Sequence, residues 1–305
     1  MHHAANGNIL PADESVEVIS LSMCCYLLHF TLCEGTNVSI FRLPATICKV
    51  FSTLVLIFNM NLTIDIGNTS VKTAVFIGSK ISEAIVHQAF DNKALKAAAH
   101  KGIVNVILCT VKAYPGEWKK YLTDNFNFIE FGDKTPVPIK NNYQSPATLG
   151  KDRLACAIAA NALFPGKNVL TINAGTCITY DITDSKGVYQ GGAISPGLEM
   201  RFKAMHTFTD RLPLVEADTK FKALVGKTTE QSMRIGAQQG MLREIEGTIA
   251  AYKAKYPGLQ IILSGGSHQW LKASLKGKIN TQPFLTLKGL NVILASNLQK
   301  RGLTK

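Results

Sequence analysis

An apolar strand that ends in an acid or an amide and runs into a glycine turn occurs twice in this chain, as "NLTIDIGNTSVKTAVF" at 61–76 and as "VLTINAGTCITYDI" at 169–182. Self-similarity of this kind signals two related halves, each obliged to bury its own sheet face. The flanking pattern agrees. "NLTIDIG", "KTAVFIG" and "KISEAIVHQAF" have strand lengths with turn residues between them, which predicts an antiparallel meander. A helix over "DNKALKAAAHKG", a buried strand "VNVILCTV", a helix "YPGEWKKYLTDNF" and a strand "FNFIEFG" follow. The Pro- and Asn-rich stretch 136–148 reads as loop, and "GKDRLACAIAANALF" reads as a helix with Asp152 and Arg153 in its first turn. The program then restarts with "NVLTINAG", "CITYDIT" and "VYQGGAIS". Two helical stretches ("GLEMRFKAMHTFT" and "TEQSMRIGAQQGMLREIEGTIAAYKAKY"), the strand "LQIILSGG", a helix from about His268 and the closing "LNVILASNLQKR" complete it.

The expected class is α/β, with halves at 60–166 and 167–305. Residues 1–59 read differently. Of their two apolar bursts, "LSMCCYLLHFTL" is preceded by Asp13, Glu14 and Glu17 where a secretory signal would place positive charge, and "ATICKVFSTLVLIF" is short for a bilayer span and contains Lys49. The expectation is a start site assigned upstream of Met60, or a disordered extension; a membrane anchor and an accessory segment are the alternatives. Four of the seven cysteines fall there and the others stand singly, with no metal or disulfide spacing, which fits a reducing cytoplasm. The net charge of +12 suits anionic ligands, from nucleotides to nucleic acid. No zinc spacing, RNP-like aromatic motif or Lys/Arg run accompanies it, so nucleic acid is not expected as a partner.

A strand ending in Asp65, followed by Gly67 and Thr69, offers backbone N–H groups and a hydroxyl at one point, and Asp65 can hold Mg²⁺ through its waters. Taken alone, such a turn is more often a plain hairpin. With the second copy at Gly175-Thr176 and the doublet glycine of "SGG" at 264–266, the two turns can grip a triphosphate from both sides.

These elements resemble the actin-like ATPase superfamily of sugar kinases, actin and Hsp70, whose fold is a pair of ribonuclease H-like domains around a central cleft. "DIGNTSVK" at 65–72, "YQSPATLGKDR" at 143–153, "NAGTCITYD" at 173–181, "GGAISPGL" at 191–198 and "TTEQSMRIG" at 228–236 further resemble type III pantothenate kinase, in order and spacing. The resemblance runs from Met60 to the C-terminus. It implies phosphorylation of pantothenate to 4′-phosphopantothenate with ATP and Mg²⁺ in a homodimer.

It further implies Asp152 as proton acceptor and Asp65, Ile66, Gly67, Asn68, Thr69, Ser70, Val71, Lys72 and Thr176 around the nucleotide phosphates. Tyr143, Gly150, Lys151, Asp152, Arg153 and Thr229 would lie around pantothenate, with Arg153 the partner of the acidic substrate. By spacing alone Tyr143 is a half-buried loop aromatic and Thr229 a helix N-cap. One position departs from the family. Asn173 stands where an Asp helps hold a monovalent cation such as K⁺ or NH₄⁺, so cation dependence is expected to be weak or absent. A sugar kinase of the superfamily and a non-catalytic transcriptional regulator are the competing readings.

Overall fold

The computed structural model describes residues 60–100 and 102–303; the expectations placed on residues 1–59 lie outside the described residues. Strands β1 (Met60–Ile66), β2 (Val71–Ile77) and β3 (Lys80–His87) form the expected meander, and helices α1 (Asn92–Ala98) and α2 (Gly116–Asn125) alternate with β4 (Ile103–Thr110) and β5 (Asn127–Glu130). The sheet order is β3-β2-β1-β4-β5, antiparallel through the meander and parallel from β1 to β5. The second half repeats it. Strands β7 (Val169–Ala174), β8 (Cys177–Thr183), β9 (Val188–Pro196), β10 (Gln260–Ser264) and β11 (Asn280–Thr281) run β11-β10-β7-β8-β9 with the same directions. The duplication read from two turns is therefore a duplication of whole sheets, within the α/β class that was expected.

Segment 136–148 departs from its expected loop. Lys140–Asn141 form β6, parallel to the free edge of β9, and Pro146–Thr148 make a 3₁₀ turn. A two-residue strand carries no periodicity; it exists because β9 offers an unpaired edge.

Alternation along each strand decides what faces the middle of the molecule. In β1, Leu62, Ile64 and Ile66 pack with Leu95, Trp118 and Leu122 under α1 and α2. Asn61, Thr63 and Asp65 then face the other way and are still buried. In the second sheet Ile178, Tyr180 and Ile182 of β8 face α4 (Leu198–Thr207), α6 (Gly240–Lys255) and α7 (His268–Ser274). A short α5 (Thr229–Arg234) enters α6 through a π-helical segment, Ile235–Gln239, inside the stretch expected as one helix.

Between the two sheets lie α3 (Lys151–Leu163) and α8 (Leu285–Lys300), packed on one another. The approach is close because α3 is built from alanine at its contact face and α8 supplies Gly289. A Cβ at 289 would stand 1.9 Å from the carbonyl oxygen of Ala155. Leu287, Leu290, Ile293 and Leu294 of α8 cover Phe76 and Ile107 of the first sheet. A chain of amides pins the same helix: Asn127 Nδ2 donates to Asn105 Oδ1 (2.9 Å), Asn105 Nδ2 to Asn61 Oδ1 (2.9 Å) and Asn61 Nδ2 to Asn291 Oδ1 (2.8 Å). Buried amides cost free energy unless paired, and here each is paired by the next.

Candidate active site

β1 ends at Ile66, and Gly67 N–H donates to Ser70 O at 3.1 Å, closing the first turn with Asn68 and Thr69 exposed at its tip. Ile66 and Val71 are core residues, so only their backbone can serve a ligand. Lys72 lies opposite Asp65 across the β1–β2 ladder. Lys112, beyond the end of β4, reaches over the same turn and donates to Asn68 O at 3.4 Å.

The second turn is built by close packing. Gly175 N–H donates to Cys177 O at 2.9 Å, and Gly197 N–H donates to Thr176 O at 3.0 Å. No other residue fits at 197, where a Cβ would meet Gly175 O at 2.3 Å. Gly265, at φ +90°, approaches Ala174 equally closely from the "SGG" segment. The two turns meet: Thr69 Oγ1 and Thr176 Oγ1 are 3.0 Å apart, a hydrogen bond across 107 positions of sequence. The strands that carry these turns belong to different sheets, so this contact joins the first sheet to the second.

α3 brings its first turn close enough to the end of β1 for the Asp152 charge to act on Asp65. Asp152 follows the N-cap Gly150, where a Cβ would sit 2.7 Å from Asp152 Oδ1. Glycine at 150 is thus what leaves the carboxylate its room. Burial pushes the Asp65 carboxyl up to about 6; Lys72 opposes the shift and the Asp152 charge adds to it. Asp65 and Asp152 therefore share one electrostatic environment.

Arg153 turns the other way, into the protein. Its Nε and Nη2 donate to Asp181 Oδ1 at 3.0 and 2.7 Å, and Tyr189 OH donates to the same oxygen at 2.7 Å. Tyr143, half-buried as expected, covers this group, its ring centre 5.7 Å from the Arg153 guanidinium carbon and 6.2 Å from the Tyr189 ring. Lys151 pairs with Asp133 and also donates to Leu149 O at 3.3 Å, which ties the loop before α3 rather than facing the cleft. Thr229 is exposed, and the N-cap of α5 is its neighbour Thr228, which corrects the reading of Thr229 as the cap. Among the described residues Thr229 makes no hydrogen bond to Tyr143, Gly150, Asp152 or Arg153. Asn173 is half-buried on β7, opposite Thr179 on β8.

Asp181 and Tyr189 were missed. The signal was present in "TYDIT", where an acid alternates with threonines on the strand face turned away from the apolar core.

The family model for type III pantothenate kinase matches residues 61–251. A type III pantothenate kinase from Christiangramia forsetii is 44% identical over 244 residues, 78% of this chain and 99% of its own length. One from Bacteroides fragilis is 43% identical over 243 residues, 78% of this chain and 98% of its own length. Among solved structures, a Baf family protein from Campylobacter jejuni shares the fold, with a TM-score of 0.50 at 21% identity over 78% of this chain and 99% of that one.

Proposed function

The chain belongs to the type III pantothenate kinase family, and from that premise we propose that it transfers the γ-phosphoryl group of ATP to the primary hydroxyl of pantothenate. The products are 4′-phosphopantothenate and ADP, the entry to coenzyme A. The observation that carries this reading is the 3.0 Å contact of Thr69 with Thr176, beside the Asp65–Asp152 pair. It supports the reading that two turns the sequence keeps far apart serve one phosphate chain.

Phosphoryl transfer asks for alignment and charge neutralisation more than for covalent help. The Thr69 and Thr176 hydroxyls, with turn N–H groups other than those of Gly67 and Gly175, which are spent within the turns, hold the phosphate chain, and Lys72 and Lys112 supply positive charge at the first turn. Asp152 accepts the proton of the pantothenate hydroxyl as its oxygen bonds to the γ-phosphorus and the bond to the β-phosphate oxygen breaks. Mg²⁺ neutralises charge on the transferred group when bound. The residues present suit it: Asp65 is a hard oxygen donor, buried to 6% exposure, with a second carboxylate nearby. No cluster of three or more His, Cys, Asp or Glu suited to a metal occurs among the described residues. Asp65 would hold the ion, through its waters. ATP-dependent conversion of radiolabelled pantothenate tests the assignment; turnover of sugars instead, or tight DNA binding with no turnover, would point to the competing readings.

Asn173 keeps a carbonyl oxygen but no charge at the monovalent cation position. Activity is expected to change less than about twofold between K⁺ and a large organic cation at equal ionic strength, and Asn173→Asp to introduce K⁺ activation. A many-fold K⁺ response of the unaltered protein would refute this.

A homodimer belongs to the same proposal. Phe208 is 84% exposed, Val225 77%, Leu224 70% and Ile194 61%, apolar side chains of the second half of the kind that pairing would cover. Thr229, exposed at the start of α5, would reach the partner's pantothenate site. Gel filtration is expected to give twice the chain mass, and mixing Asp152→Asn with Thr229→Ala to restore part of the activity that each lacks. No helix among the described residues is long and apolar enough to cross a membrane. The cysteines described, Cys109, Cys156 and Cys177, are free, in keeping with the cytoplasm where we place the enzyme.

A further inference from the structure

The corner that joins β9 to α4 is held by a network that no motif announces. Arg201, on the first turns of α4, donates from Nε to Pro196 O at 2.9 Å and from Nη2 to Ser195 Oγ at 3.0 Å. The same Nη2 pairs with Glu244, which comes from α6, and the other Glu244 oxygen accepts from Tyr180 OH at 2.8 Å. Arg201 is 20% exposed and Glu244 30%, so solvent screens the pair only in part. Burial alone would raise the Glu244 carboxyl. The bonds from Arg201 and Tyr180 outweigh it and hold the group below its usual range, so it stays ionised at neutral pH.

What the network holds is the residue against which the second turn is packed. Ser195 and Pro196 are followed by Gly197, whose N–H donates to Thr176 O and whose α-carbon lies against the Gly175 and Thr176 carbonyls. Thr176 in turn touches Thr69. A shift of the corner by a few tenths of an ångström is transmitted directly, because backbone meets backbone with no side chain to absorb it.

We propose that Arg201 and Glu244 are positioning residues for the nucleotide: by locking Ser195–Gly197 they hold the Gly175–Thr176 turn in its phosphate-binding place, and they set ATP affinity without touching pantothenate. The inference rests on the assignment of that turn to the nucleotide phosphates. Lysine at 201 keeps the charge but cannot make the fork that spans Pro196, Ser195 and Glu244. Glutamine at 244 keeps an acceptor for Tyr180 and loses the ion pair.

The test measures KM for ATP and for pantothenate separately, together with Mg·ATP binding by calorimetry and the melting temperature. Arg201→Lys is expected to raise KM for ATP about tenfold and Glu244→Gln about threefold, with KM for pantothenate within about twofold of the unaltered enzyme. A purely structural role would lower the melting temperature and leave the ratio of the two KM values unchanged, and that result overturns the proposal. Thr176→Ala separates the inference from the reading beneath it. If Thr176→Ala weakens ATP binding and Arg201→Lys does not, the clamp is refuted and the turn's assignment stands. If neither weakens it, the assignment of the turn fails and the clamp falls with it. Should Arg201→Lys not fold, Ser195→Ala, which removes one bond of the fork and leaves the ion pair, is expected to give a smaller shift of the same kind; no shift counts against the clamp.

Discussion

Asp152→Asn is expected to lower kcat for pantothenate phosphorylation about a thousandfold, with KM for ATP changed by less than about threefold. A positioned general base contributes on the order of 10²–10⁴ in rate, and the amide is nearly isosteric but cannot accept the proton. The helix start, the N-cap and the Gly150 contact that place the side chain are all retained, so loss of fold is not the cause of the effect. The variant carries an internal check. The Asp152 charge is one of the groups that raise the Asp65 carboxyl, so that carboxyl should titrate lower once the charge is gone. Radiolabelled product formation measures the first effect and carboxyl NMR titration the second. A variant that keeps more than a tenth of kcat would remove Asp152 from the role of base.

Asp65→Asn is expected to make the ligand-free protein more stable and nearly inactive. The Asp65 carboxyl lies at about 6 in the folded protein against an ordinary 3.8. Between those two values the folded state binds more protons than the unfolded one, so stability falls as pH rises through this window. Above about pH 6 the whole deficit is present, up to about 3 kcal/mol at 1.36 kcal/mol per unit. Asparagine does not ionise, so melting of Asp65→Asn should exceed that of the unaltered protein by roughly 5–10 °C at pH 8, with the gap closing below about pH 4. Activity should fall about a hundredfold or more, because the charge that destabilises the empty site is what Mg²⁺ and the phosphates compensate. Equal melting curves at pH 8 would contradict the burial of this charge. The same titration predicts weaker Mg·ATP binding in the unaltered enzyme below about pH 6, by about tenfold per unit.

Much of the architecture was legible because it is repeated. β1 and β7 each carry an apolar face and a polar face on alternate residues and each end in a glycine turn, so pattern and punctuation agree within each half and between them. Asp152 and Gly150 were readable as a helix start. What escaped was set by tertiary packing. β6 depends on an edge, the amide chain from Asn127 to Asn291 joins four elements, and Thr228 rather than Thr229 caps α5 because its oxygen meets Gln231 N–H at 3.3 Å. The orientation of Arg153 escaped for the same reason. Nothing in "GKDR" says that its partner is Asp181, an acid on a strand of the other half. Arg201 and Glu244, 43 positions apart, were likewise invisible until α4 and α6 were laid side by side.

The placement of α8 has a consequence for how the molecule comes into being. Phe76 and Ile107, made early, are roofed by Leu287 and Leu290, made after both sheets. Until that helix docks, the early sheet has one greasy side open to water and to chaperones, and its amide row lacks Asn291. Rigidity of the first sheet should therefore arrive late, and a ribosome-stalled chain ending before residue 285 should be readily proteolysed across that sheet, whereas the second half's own core is complete without α8.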